Sequence, residues 1–183
     1  MSDGNVYVAS SNNRGDTWLY DLSRDGVLRF RTGFDSQWEQ YWSPLVIGGS
    51  VFLDGGTGGG LYGFDATNGG SRLFFNGDLS QFDRWSPAWW GGSVWTLVGG
   101  VLRQHDPTKG STLAAVALPS SAGSYSMETA PVAGSCYLYV VSRPDLVAVD
   151  PVAMEAAWSV SGTFGQRLTA LPAAASIHCM GAT

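Results

Sequence analysis

Four short stretches concentrate the side chains best suited to chemistry. They are Gln37-Trp38-Glu39-Gln40-Tyr41-Trp42, Gln81-Phe82-Asp83-Arg84-Trp85, Tyr125-Ser126-Met127-Glu128 and Phe164-Gly165-Gln166-Arg167. The first two run directly into Ser-Pro and the third into Thr129-Ala130-Pro131, so they recur at one point of a repeat. Aromatic planes beside carboxylates, amides and guanidinium groups suit a surface that holds a sugar, a peptide or a partner's side chain. The candidate binding residues are Trp38, Tyr41, Trp42, Asp83, Arg84, Trp85, Glu128 and Arg167. Trp42 and Trp85 occupy equivalent places before Ser-Pro and carry a second reading, as packing residues between repeats. Trp89, Trp90 and Trp95 read as cover for an interface between repeats or subunits.

Other chemistries lack the residues they need. His105 and His178 are the only histidines and stand far apart, which does not describe a metal site. His105 before Asp106 is either a base with its orienting carboxylate or a polar variant of an apolar-Asp turn. Gly55 to Gly60 is glycine-rich like a phosphate loop but lacks the lysine and the following helix, so it reads as a hairpin loop. No Gly-x-Ser-x-Gly elbow is present. Arg14-Gly15-Asp16 reads as the apex of a hairpin turn rather than an adhesion motif. No catalytic residue, metal or cofactor is assigned, and the chain is read as non-catalytic.

A formal net charge of −5 without a Lys/Arg cluster argues against a nucleic-acid partner. No apolar run approaches the length of a membrane span, and Met1-Ser2-Asp3-Gly4 is unlike a signal peptide. Cys136 and Cys179 are the only cysteines. Both are expected in strands of successive repeats, as buried free thiols.

The elements that must position these residues are short strands. Residues 43–85 hold one complete unit: Leu45-Val46-Ile47, a Gly-Gly turn, Val51-Phe52-Leu53, then Leu61-Tyr62-Gly63-Phe64-Asp65, a turn over Ala66-Thr67-Asn68-Gly69, and a strand over Ser71 to Phe75. Four antiparallel strands in about forty residues make a propeller blade. The unit recurs: Tyr7, Phe52, Trp95 and Tyr139 mark its second strand, and Asp21, Asp65, Asp106 and Asp150 mark the end of its third. The aspartates at 65, 106 and 150 are expected to accept backbone hydrogen bonds within their turns. Polar Arg103-Gln104-His105-Asp106 predicts a solvent-facing or interface-facing edge in the third unit.

The expected architecture is one all-β domain over residues 1–183. Its blades cover 3–42, 43–85, 86–128 and 129–168, with a partial blade over 169–183. The first blade lacks its inner strand. Thr169 to Ala175 would supply it in a closed four-bladed ring, but Ser176 to Met180 would then duplicate Val6 to Ala9. That duplication favours a section of a larger ring, or a ring completed by a second chain.

At its third strand and turn the repeat resembles the pyrroloquinoline-quinone-type, or quinoprotein-like, propeller family. The resemblance is carried by Tyr62-Gly63-Phe64-Asp65-Ala66-Thr67-Asn68-Gly69, and by Val149-Asp150 with Trp158 eight positions on. In that family the tryptophan docks between neighbouring blades. Here Phe30, Leu73 and Ala114 are read at the matching places. The family includes quinone-dependent dehydrogenases, whose vicinal cysteine pair is absent from this chain, and cofactor-free scaffolds. The resemblance is one of fold and says little about activity; the chain is read as a non-catalytic binding or scaffolding module that presents its axial loops to a protein partner. One alternative is a segment of a quinone-dependent dehydrogenase with its catalytic residues outside this chain. Another is a carbohydrate-binding propeller that uses the tryptophan-rich connections.

Overall fold

Tight glycine turns separate short apolar runs throughout the chain, and the computed structural model folds those runs into four antiparallel sheets. It describes residues 4–10, 17–36, 44–55, 60–79, 85–118, 130–142 and 144–162. The first sheet holds β1 (Val6–Ser10), β2 (Trp18–Leu22) and β3 (Leu28–Gly33). The second holds β4 (Leu45–Ile47), β5 (Ser50–Asp54), β6 (Leu61–Asp65) and β7 (Ser71–Asn76). The third holds β8 (Ala88–Trp90), β9 (Ser93–Val98), β10 (Val101–His105) and β11 (Thr112–Ala117). The fourth holds β12 (Val132–Ala133), β13 (Leu138–Ser142), β14 (Asp145–Asp150) and β15 (Glu155–Val160). In every sheet the strands lie side by side in chain order. Among the described residues there is no α-helix, only two single-turn 3-10 helices at Ala66–Asn68 and Gly77–Leu79. The expected all-β blades are what the chain forms.

The hairpins follow from their glycines. Gly48-Gly49, Gly91-Gly92 and Gly99-Gly100 all have positive φ at both positions. That is the turn whose twist matches a two-residue hairpin, and side chains with a Cβ resist it. Arg103 closes the last of these hairpins by donating from Nη1 to the carbonyls of Val98 at 3.0 Å and Val101 at 3.2 Å.

Packing occurs between sheets, and side-chain alternation sends the two faces of a strand to different neighbours. Val51, Leu53, Tyr62 and Phe64 join Leu19 and Phe34 between the first and second sheets. From the opposite face of the second sheet, Phe52, Leu61 and Phe74 meet Val94, Val98 and Trp85. Trp95, Leu97 and Leu102 then meet Leu138, Val140, Val147 and Val149 between the third and fourth sheets. Sheets two and three are covered on both faces, which explains the continuous apolar runs of β5 and β9. The outer strands β3, β11 and β15 are largely exposed.

The turns between the third and fourth strands of a blade are built on aspartate. Asp65 Oδ1 accepts from the backbone N–H of Thr67 at 2.8 Å and Asn68 at 3.2 Å, and from the Thr67 hydroxyl at 2.6 Å. Asp106 does the same with Thr108 and Lys109, and Asp150 with the N–H groups of Val152 and Ala153. The first blade departs from the expected pattern. Asp21 is buried within β2, facing Asn5 Nδ2 at 3.4 Å and the Arg29 guanidinium at 3.4 Å. Ser23 takes the turn role instead, its Oγ accepting from Val27 N–H at 3.1 Å.

The bulge beside each of these turns sets the register. The last pairs before it are Asp21–Phe30, Gly63–Phe74, Gln104–Ala114 and Ala148–Trp158. The residue equivalent to Trp158 in the second blade is therefore Phe74, not Leu73. An additional turn residue, with both Gly69 and Gly70 at positive φ, advances that strand by one.

Cys136 also departs from expectation. It lies in the turn between β12 and β13 and is disulfide-bonded. Cys179, the other cysteine, lies outside the described residues, as do Arg14-Gly15-Asp16 and the segments 169–175 and 176–180.

Candidate functional site

Trp85 is the one candidate binding residue within the described part of the chain; Trp38, Tyr41, Trp42, Asp83, Arg84, Glu128 and Arg167 lie outside it. The Trp85 indole is completely buried, packed with Phe52, Leu61, Phe74, Leu79, Val94 and Val98 at the junction of the second and third sheets. It offers no surface to a ligand. Its side chain performs the packing role that its place before Ser-Pro also allowed.

At the opposite end of the same junction a groove opens. Its volume is about 400 Å³, within the range of small-ligand and peptide-anchor pockets. The β4–β5 turn forms one side with Ile47, Gly48, Gly49 and Ser50, and the β6–β7 turn adds Asp65 and Thr67. Leu73 of β7, Trp89 of β8, and Pro107 and Thr108 of the next blade's turn complete it. Trp89 is held by stacking on Phe52, with ring centroids 6.4 Å apart and an interplanar angle of 19°. Phe52 in turn stacks on Phe74 at 6.1 Å. A locked aromatic wall beside an exposed leucine gives an apolar slot with little freedom to lose on binding.

Asp65 supplies the charge at the edge of this slot. The Thr67 hydroxyl, then the Thr67 and Asn68 N–H groups, hold its carboxyl below the usual carboxylate value. It stays ionised near neutral pH. The groove thus pairs an apolar wall with a fixed negative charge, which suits an apolar side chain next to a cationic or hydrogen-bond-donating group. Sequence alone marked the Trp89-Trp90 pair as interface cover. It held no sign of the groove, because the walls come from two blades.

His105 is structural. Instead of the expected solvent- or interface-facing edge, its ring is fully buried. Nε2 meets the Thr96 hydroxyl at 2.9 Å, and Nδ1 meets the Thr112 hydroxyl at 3.5 Å. Burial lowers its pKa from 6.5 to about 4, so it is neutral at physiological pH. Asp106 is committed to its own turn through Thr108, and the two do not form a base and its orienter. Gln104 Nε2 donates to Ser93 Oγ at 2.9 Å. Among the described residues no group of three His, Cys, Asp or Glu side chains is placed to hold a metal ion, and no helix is long and apolar enough to cross a membrane.

No known family model matches the chain, and no curated protein matches it in sequence. Among solved structures it is similar to BamB from Moraxella catarrhalis, with a TM-score of 0.67 at 18% identity, over 88% of this chain and 51% of that one. The fold is a β-propeller. A computationally designed protein, Ika8, is also similar, with a TM-score of 0.57 at 13% identity, over 76% of this chain and 40% of that one. The chain therefore spans about half the length of the first and two fifths of the second. At these identities the likeness describes architecture, and sites have to be argued from the side chains.

Proposed function

We propose that the chain is a non-catalytic binding module, a rigid section of propeller that presents its inter-blade surfaces to a protein partner. The observation that carries this reading is the groove between the second and third blades, where Trp89 and Leu73 form an apolar wall beside the Asp65 carboxylate. Its residues sit on strands and hydrogen-bonded turns, so the surface is pre-organised for binding. The favoured occupant is a peptide segment with an apolar anchor beside a Lys or Arg.

Seven of the candidate residues lie outside the described part of the chain. We read them as a second contact surface, with Trp38 and Arg84 as its anchors. The blades read as quinoprotein-type repeats, on the strength of their aspartate turns and the aromatic residue in each outer strand except the third. The disulfide at Cys136 favours an oxidising compartment.

The test is to pan a random peptide library on the immobilised chain and measure selected peptides by fluorescence titration. Peptides with an apolar-cationic pair should bind, and Leu73→Asp should weaken them at least tenfold, because Leu73 is exposed and its loss leaves the core intact. Binding unaltered by Leu73→Asp and by Asp65→Asn would remove the groove from the proposal. Tryptophan quenching by oligosaccharides, with no peptide selected, would favour the carbohydrate-binding reading.

A further inference from the structure

The three junctions between blades follow one rule of complementary volume. Gly26, Gly70, Gly110 and Met154 close equivalent turns, each two residues before the strand residue that resumes pairing after the bulge. All four have positive φ. A β-carbon added at Gly70 would overlap the Phe30 ring of the preceding blade, and one at Gly110 would overlap Phe74. At the third junction the sizes are exchanged. The outer strand carries Ala114, and the turn carries Met154, whose side chain packs into the cluster between the third and fourth sheets. Each junction takes one large and one small residue.

Trp158 occupies this position in the fourth blade, and no further blade among the described residues lies against it. Its ring leans on Tyr139, with centroids 5.9 Å apart, on the face turned away from the third sheet. Trp158 is 41% exposed and Val160 49%. By the same rule, the turn that meets it must carry a small residue. Gly26 is such a turn: its φ is +80°, and a β-carbon there would meet nothing within 4 Å. On the first blade, the face turned away from the second sheet is equally uncovered, with Val6 51% and Val8 41% exposed.

We propose that the fourth blade docks against the first blade of a second copy of this chain, Trp158 of one copy over Gly26 of the other. Two such junctions close a head-to-tail ring of eight blades. A head-to-tail contact closes when its rotation divides the circle, and eight blades lie within the usual propeller range of about 4–8. The second copy satisfies both open faces at once and extends the contact rule of the existing junctions. This inference does not rest on the proposed binding function.

The test is the molar mass of the 183-residue chain by light scattering over a dilution series, with circular dichroism to confirm folding. The wild-type chain should have twice the chain mass. Trp158→Asp and Val8→Asp should each be folded monomers, since both positions are exposed within one chain; Val6→Asp replaces the latter if it does not fold. Mixed one to one, the two variants should form a dimer again, weaker than wild type, because the intact fourth blade of one meets the intact first blade of the other. A folded wild-type monomer, a dimer indifferent to both substitutions, or a mixture that stays monomeric would each overturn the proposal.

Discussion

Phe74, in the outer strand of the second blade, lies against Gly110 in the turn of the third, so closely that the glycine has no room for a β-carbon. The same two blades are tied by Asn76 Nδ2, which donates to the Gly110 carbonyl at 2.7 Å. One glycine thus serves a positive-φ turn, an aromatic contact and a hydrogen bond across the junction. Gly110→Ala should destabilise the chain by about 1–3 kcal/mol through overpacking and backbone strain. Phe74→Leu should recover part of that cost when the two are combined. Urea denaturation of the four proteins in the cycle measures the coupling, and additive effects would show that the contact is not the cause.

Trp85→Ala should cost roughly 3–5 kcal/mol, the usual range for truncating a buried aromatic residue. The side chain is fully enclosed between two blades, so the loss should appear as a lower urea midpoint. A variant of unchanged stability would contradict its packing role.

The buried His105 makes stability depend on pH. Its folded pKa of about 4 lies below the ordinary value of 6.5, so the unfolded chain binds the proton more readily. Its contribution is complete above pH 6.5 and is lost progressively as pH falls towards 4, by about 3 kcal/mol over that window. His105→Gln should flatten the pH dependence in this window, while lowering stability at pH 7. An equally steep profile in the variant would place the titration elsewhere.

Asp65 and Asp106 are held below the usual carboxylate value chiefly by the hydroxyls of Thr67 and Thr108. Their stabilising effect is present above the ordinary carboxylate value and is lost as pH falls through the lower folded values. Thr67→Val should move the Asp65 titration, followed by NMR, back towards its ordinary value and leave Asp106 where it was. A shift of both would mean that the two turns are coupled.

The disulfide at Cys136 should leave no thiol to alkylate in the native, unreduced chain. Cys136→Ser should cost about 2–4 kcal/mol, as is typical for removing a native disulfide. Recovery of two alkylated cysteines without reductant would contradict it.

The amino-acid sequence by itself determined the period of the fold. Paired glycines required hairpins, apolar runs of strand length required sheets, and aspartates at 65, 106 and 150 specified turns whose bonds are local. These features depend on near neighbours in the chain, so they can be read without the fold. Contacts between blades are a different matter. Phe74 rather than Leu73 reaches Gly110 because one additional turn residue shifts the register, and only the assembled bulge shows it. His105 looked like part of a polar edge, yet two threonines from neighbouring strands complete its hydrogen bonds and let it be buried. Trp85 had two roles open to it until the second and third blades closed around it. The groove at Trp89 has no sequence signature at all, because its walls come from separate blades and its shape depends on their relative placement. Local chemistry specified each blade, and tertiary packing decided which side chains became core and which remained available for binding.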